Sequence, residues 1–241
     1  MTAEAGIKVK VCGFKDTNII GQLDGLSINE VGFILAPSRR QVTPEQAGEM
    51  LRAVRMVRND QGAPIQAVGV VVNASIEELK LILASAPLDV LQLHGQETPE
   101  FCAAVKQLGV KVWKVFSLSA EQSAGSTLAG DHLGDVSESE LASASALALL
   151  APYKDSIDGA LIDTAGGGTG QPFDWSNIPA YREAAHSLGL PLYVAGGLHE
   201  GNVKELLGYG PDGVDVSSGV ETDGVKDIVK IRAFVERVKR P

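Results

Sequence analysis

Short runs of β-branched and other apolar residues recur along the chain, separated by stretches whose apolar positions return every three or four residues. The runs fall at Ile7 to Val11, Val31 to Leu35, Gln66 to Val72, Val90 to Leu93, Val110 to Phe116, Gly159 to Ile162, Leu192 to Ala195 and Gly213 to Val216, which gives eight candidate strands. Helical spacing joins Ala47, Leu51, Val54 and Val57, then Ile76, Leu79 and Leu83, and finally Ile228, Ile231, Val235 and Val238. Thr43 with Gln46 and Ser75 with Glu78 read as capping boxes that open helices, and Thr98-Pro99 opens another. A run such as Ala67 to Val72 is apolar almost throughout, which suits a parallel sheet covered on both faces. Eight strand-helix alternations predict an α/β fold: a single (β/α)8 TIM barrel, with a parallel eight-stranded barrel inside and helices outside. An open doubly wound sheet is the alternative, because a strand count does not prove closure.

Two stretches fit the cadence less well. Gly21 and Gly25 lie in the first connecting segment, Asp16 to Ser27, and each costs a helix about 1 kcal/mol relative to alanine. A short or irregular helix is expected there. Ser119 to Glu138 is rich in Ser, Gly and Ala and longer than an ordinary strand-to-helix turn, so it reads as a surface excursion or a lid, with the next helix starting near Ser139.

The chain has 241 residues, 44% of them hydrophobic and 21% charged, enough for one barrel domain spanning 1–241. Its formal charge of −9 argues against nonspecific nucleic-acid or anionic-membrane binding, which need a broad basic surface. An anionic ligand would therefore need a local positive site. Cys12 and Cys102 are the only cysteines, far apart and each in an apolar segment, so a disulfide framework is not expected and a reducing, cytoplasmic location is. No apolar run approaches the length of a membrane helix, and Met1 to Lys10 has no signal-like core. Oligomeric state, monomer or homodimer, is left open.

In such a barrel, residues at the carboxyl ends of the strands converge on one mouth. Sorted that way, the chain offers Cys12-Gly13, Ser38-Arg39-Arg40, Asn73, His94-Gly95, Asp163-Thr164 followed by Gly166 to Gly170 and Phe173-Asp174-Trp175, Gly196-Gly197, and Ser217-Ser218-Gly219. The paired small-residue turns after strands 7 and 8 suit a phosphate, because glycine lets main-chain amides approach an oxyanion and a helix amino terminus adds positive charge. Tight turning alone would also explain either one. Asp163 followed by a glycine run reads as an acid under a mobile cover, or as an aspartate that braces its loop. A buried cysteine is most often an inert small hydrophobe. Cys12, at the end of strand 1, would instead sit in the mouth, where a thiol serves as base or nucleophile. At most one of Arg39 and Arg40 should face inward, where its planar guanidinium fits a carboxylate at two points. His94 is as readily structural as substrate-binding, and Cys102 is assigned no role. His132, His186 and His199 have no metal-ligand spacing, and no Walker or dinucleotide fingerprint occurs, so no cofactor is implied.

In this order the residues resemble the phosphoribosylanthranilate isomerase family of tryptophan biosynthesis. The resemblance runs from Val9 to Phe234 and rests on Lys10-Val-Cys-Gly13, Val31-Gly-Phe33 with Ser38-Arg-Arg40, Leu91-Gln-Leu-His-Gly95, Ile162-Asp-Thr164, Gly167-Gly-Thr-Gly170 with Phe173-Asp-Trp175, Ala195-Gly-Gly-Leu198, and Asp215 through Glu221. It implies a cofactor-free Amadori rearrangement of N-(5-phosphoribosyl)anthranilate to 1-(2-carboxyphenylamino)-1-deoxyribulose 5-phosphate. By resemblance Asp163 is the general acid and Cys12 the general base. The resemblance implies that Arg40 meets the anthranilate carboxylate and that the backbone around Gly196, Gly197, Ser218 and Gly219 cradles the phosphate; His94, Gly167 and Gly168 are further expected to bind the phosphorylated small-molecule substrate. The chain departs from the family in the glycine-containing first helix, in Phe14 after the Cys-Gly pair and in the long Ser119 to Glu138 stretch. Two competing readings are a histidine-pathway type of aminoaldose isomerase, which resembles this chain in reaction but has aspartate where Cys12 stands, and a noncatalytic phosphate-binding barrel. The latter would need neither Cys12 nor Asp163.

Overall fold

Continuously apolar strands must be covered on both sides, and closing the sheet into a ring does this with one layer of helices. In the computed structural model, which describes residues 6–117, 138–163 and 175–240, the ring is complete. Its parallel strands are β1 (Lys8–Cys12), β2 (Glu30–Ile34), β3 (Gln66–Val71), β4 (Val90–Leu93), β5 (Lys111–Ser117), β6 (Gly159–Asp163), β7 (Leu192–Ala195) and β8 (Gly213–Val216). They pair in chain order, and β8 returns to β1 with Lys10 opposite Asp215. The open-sheet alternative is thereby excluded.

Among the described residues the outer layer comprises α1 (Thr17–Gly21), α2 (Pro44–Met56), α3 (Ile76–Ser85), α4 (Pro99–Lys106), α5 (Glu138–Leu150), α6 (Ile178–Ser187), α7 (Val203–Leu207) and α8 (Ile228–Lys239). Thr43 and Ser75 close the expected capping boxes, each hydroxyl accepting from the N3 amide while the N3 side chain accepts from the cap. The stripes Ala47, Leu51 and Val54 of α2 and Ile231, Val235 and Val238 of α8 are buried against the barrel. Removing such a side chain from water stabilises the fold by roughly 1.5–3 kcal/mol. Cys102 is wholly buried on α4.

Inside the ring a separate cluster of Val68, Val90, Trp113, Val115, Leu161, Tyr193 and Ala195 fills the lumen, with the Trp113 and Tyr193 rings 4.6 Å apart. This plug closes the lower part of the barrel and leaves the carboxyl ends as the open face.

Cys12 and Asp163 are the last residues of β1 and β6, at the strand ends as expected, so strand geometry itself aims their side chains inward. The first helix has only five residues, as its glycines demand. No α-helix begins directly after β8. A three-residue 3-10 turn, Ser218–Val220, leads into a two-stranded hairpin, β9 (Glu221–Thr222) with β10 (Val225–Lys226), before Asp227 caps α8. Phosphate binding at the β8 turn would therefore rest on turn amides and not on a long helix dipole. Among the described residues, no helix is long and apolar enough to cross a membrane.

Candidate active site

Alternation along β1 sends Lys8, Lys10 and Cys12 to the same side of the strand, toward the lumen. Cys12 is 6% exposed and lines a cavity of about 280 Å³ at the carboxyl ends of the strands. The cavity is also lined by Arg40, His94, Asp163, Gly196, Gly197 and Ser218, so six other predicted site residues share it with the thiol. Space for the sulfur comes from the neighbouring strand. A Cβ added to Gly32 would lie 2.6 Å from Cys12 Sγ.

Asp163 enters from β6, and its Oδ2 lies 3.4 Å from His94 Nε2. His94 follows β4, in a loop fixed from below. The buried Glu97 carboxylate accepts from the amides of Gly95 (2.8 Å) and Asn73 (2.8 Å) and pairs with Lys114 Nζ at 3.2 Å. Asn73 Oδ1 in turn accepts from Gln96 N at 2.7 Å. Asn73, which sequence position alone made a candidate, thus braces the β4 loop.

Only one arginine of the pair turns inward. Arg39 is 64% exposed and Arg40 15%, counted on their side chains. Arg40 meets Glu221 at two points, Nε to Oε1 at 2.6 Å and Nη2 to Oε2 at 2.9 Å. Lys226 donates to the same carboxylate at 2.7 Å and to Ser217 O at 3.0 Å. Burial alone would lift the Glu221 carboxyl, but these cations hold it down at about 2. Two arginines and a lysine around one carboxylate leave a net positive rim, the local site that the acidic chain requires.

Gly196 and Gly197 take φ values of +103° and +61°, conformations that side chains disfavour, so the β7 turn needs them. Gly219 does not line the cavity. A Cβ there would collide with the Leu198 carbonyl oxygen, so its role is to let the β7 and β8 turns pack together. Gly167 and Gly168, with Thr164 to Asp174, lie outside the described residues, as do residues 118–137.

Lys10 and Asp215, to which sequence reasoning gave no role, form the ion pair beneath the thiol. Nζ and Oδ2 are 2.8 Å apart, and the lysine is wholly buried. A charged residue at an inward position of an otherwise apolar strand is the sequence signal that could have found each. Although burial pulls the Lys10 ammonium down, Asp215 keeps it above its ordinary range. Burial pushes the Cys12 thiol up, while the charges of Lys10 and Lys226 pull the other way. Glu221 and Lys226 were also missed as site residues, since only the hairpin after β8 brings them to Arg40.

The chain matches the N-(5'-phosphoribosyl)anthranilate (PRA) isomerase family over residues 9–138 and 135–237. It is 42% identical to the N-(5'-phosphoribosyl)anthranilate isomerase of Brevibacillus brevis, across 96% of this chain and 93% of that protein. Against the same enzyme of Geobacillus thermodenitrificans it is 34% identical, across 98% and 96%. Among solved structures it resembles the Thermotoga maritima phosphoribosyl anthranilate isomerase, with a TM-score of 0.72 and 28% identity over 97% of this chain and 98% of that one. It also resembles a phosphoribosyl anthranilate isomerase in complex with reduced 1-(o-carboxyphenylamino)-1-deoxyribulose 5-phosphate, with a TM-score of 0.70 and 27% identity over 97% and 98%. A closed barrel, a thiol and a carboxyl group on one cavity, and matches of this extent together show that the chain belongs to the phosphoribosylanthranilate isomerase family.

Proposed function

We propose that this chain is an N-(5'-phosphoribosyl)anthranilate isomerase of tryptophan biosynthesis that works by general acid and base catalysis. The single observation that carries the site assignment is the sharing of one cavity by Cys12, from β1, and Asp163, from β6. In this reading the substrate's phosphate sits against the main chain of Gly196, Gly197 and Ser218. Arg40 takes the anthranilate carboxylate on the positive rim.

Asp163 gives a proton to the furanose ring oxygen, the ring C–O bond breaks, and the nitrogen lone pair forms the C1=N iminium. That cation acidifies the C2–H bond. The Cys12 thiolate takes the C2 proton, the bonding pair moves into C1–C2, and the C1=N electrons return to nitrogen. The resulting enolamine tautomerises to the aminoketone. Each proton transfer by a positioned group contributes roughly 10²–10⁴ in rate. Both cysteines are unpaired thiols, which fits a cytoplasmic enzyme.

Loss of anthranilate fluorescence follows turnover. Wild type is expected to turn over, and Cys12→Ala and Asp163→Asn each to lose at least about a hundredfold in kcat with smaller changes in KM. Unchanged kcat in either variant would remove that residue from the mechanism. Wild type that binds substrate without converting it would make this a binding protein.

A further inference from the structure

Lys10 stands beside the thiol, and the reaction as described leaves it without a task. A wholly buried lysine is costly to keep charged, and the interior of a barrel strand ordinarily carries apolar side chains. Here it stands two residues before Cys12 on the inward side of β1, opposite Asp215 across the β1–β8 pairing. Its ammonium donates to Asp215 Oδ2 at 2.8 Å, and its charge pulls the Cys12 thiol toward the thiolate. Asp215 lines the same cavity, and its Oδ1 finds no partner among the described residues.

We propose that Lys10 is a positioning residue for the isomerisation: held by Asp215 one layer beneath the thiol, its ammonium stabilises the Cys12 thiolate that takes the C2 proton. The proposal rests on the reading of Cys12 as the base. A buried thiol loses its proton reluctantly, because the anion gives up hydration. A fixed cation at the next inward position of the same strand offsets that cost without reorganising during the reaction. Lys10 and Asp215 keep their own protons throughout. When the thiolate becomes a thiol, the cluster passes from one net negative charge to none.

The groups that face the sulfur set the sign of every test. From β1 Lys10 favours the thiolate, and from β10 Lys226 does the same. From β8 Asp215 opposes it. Arg40, after β2, interacts favourably with the thiolate, although Glu221 occupies its fork. Asp163, from β6, lines the same cavity.

The test reads kcat/KM against pH together with the pH dependence of iodoacetamide alkylation, mapped by mass spectrometry to the Cys12 peptide. In Lys10→Met, the acid limb of both profiles should move up by at least about one unit. Turnover near pH 7 should then fall about tenfold or more, with KM moving less. Lys10→Met leaves Asp215 buried without its cation and can fail to fold. Asp215→Asn therefore supplies the second arm, since it keeps an amide oxygen for Lys10 and removes the opposing charge. Both profiles should move down in that variant. Folded Lys10→Met with wild-type profiles, or Asp215→Asn with profiles unmoved or shifted up, would overturn the proposal. Cys12→Ala separates the two layers: if it retains turnover, the base assignment itself falls. If it is inactive while the Lys10 and Asp215 variants keep wild-type profiles, only the role of Lys10 falls.

Discussion

Arg40 and Glu221 form a two-point ion pair at the cavity rim, with Nε on Oε1 and Nη2 on Oε2, and Lys226 shares the same carboxylate. This orientation directs the guanidinium plane before any substrate arrives. Arg40→Lys keeps the charge and loses the fork, so KM for the anthranilate substrate should rise about tenfold while kcat changes less. Steady-state kinetics checks it. A fall in kcat at constant KM would show that Arg40 acts in the transition state only.

The same cluster predicts an acid-sensitive contribution to stability. Glu221 is held at about 2 in the folded chain, against an ordinary 4.5, by cations that outweigh its burial. The unfolded chain therefore takes up a proton first as pH falls. The stabilisation is complete above about pH 4.5 and disappears on acidification toward pH 2. Denaturant titrations of wild type and Glu221→Gln should converge over that window and differ above it; parallel curves would refute the linkage.

Glu30 carries the opposite sign. It is buried in the lower lumen, where burial pushes its carboxyl up to about 7 even though Tyr193 Oη donates to Oε1 at 2.9 Å. The folded chain keeps this proton while the unfolded chain loses it near 4.5. Stability is thus full below about pH 4.5 and declines up to about pH 7, by on the order of 3 kcal/mol. Glu30→Gln keeps the acceptor for Tyr193 and cannot ionise. Its melting temperature should exceed that of wild type above pH 7 and match it near pH 4; the reverse order would show that the carboxylate is welcome there.

Gly32 makes room for the sulfur of Cys12. An alanine there would place Cβ 2.6 Å from Sγ and 3.1 Å from both Cα and Cβ of Cys12, so the thiol must shift. Such overpacking costs about 1–3 kcal/mol, and kcat should fall about tenfold or more, since a base displaced by a fraction of an ångström loses its alignment. Full activity in folded Gly32→Ala would mean that the thiol tolerates displacement.

Glu97 and Lys114 pin the loop that carries His94. Glu97→Gln strips a buried lysine of its counter-charge and should destabilise the chain by about 3–5 kcal/mol. Adding Lys114→Met should recover part of that loss, as thermal melts of the single and double variants would register. A double variant less stable than Glu97→Gln alone would contradict the pairing.

Much of this architecture was legible because strands buried on both faces betray themselves as apolar runs. Leu192–Ala195 and Gly213–Val216 have the bounds their runs predict. Cys12, Arg40, His94 and Asp163 were legible because the carboxyl ends of barrel strands share one mouth. What escaped depends on closure and on turns. Lys10 meets Asp215 only when the first strand joins the last, and Glu221 reaches Arg40 only because a hairpin intervenes between β8 and α8. The bracing role of Asn73 was not legible, because a position after a strand says nothing about which neighbouring loop its side chain will hold.

The contact between Lys10 and Asp215 spans 205 positions. On the ribosome, the first strand and its cysteine would emerge long before the carboxylate that anchors their lysine is translated. Until then the ammonium has no partner to enter the interior with, and β1 has a bare edge. Assembly of the lumen is thereby deferred to the last strand, so a nascent chain stopped short of β8 should stay loose and chemically idle.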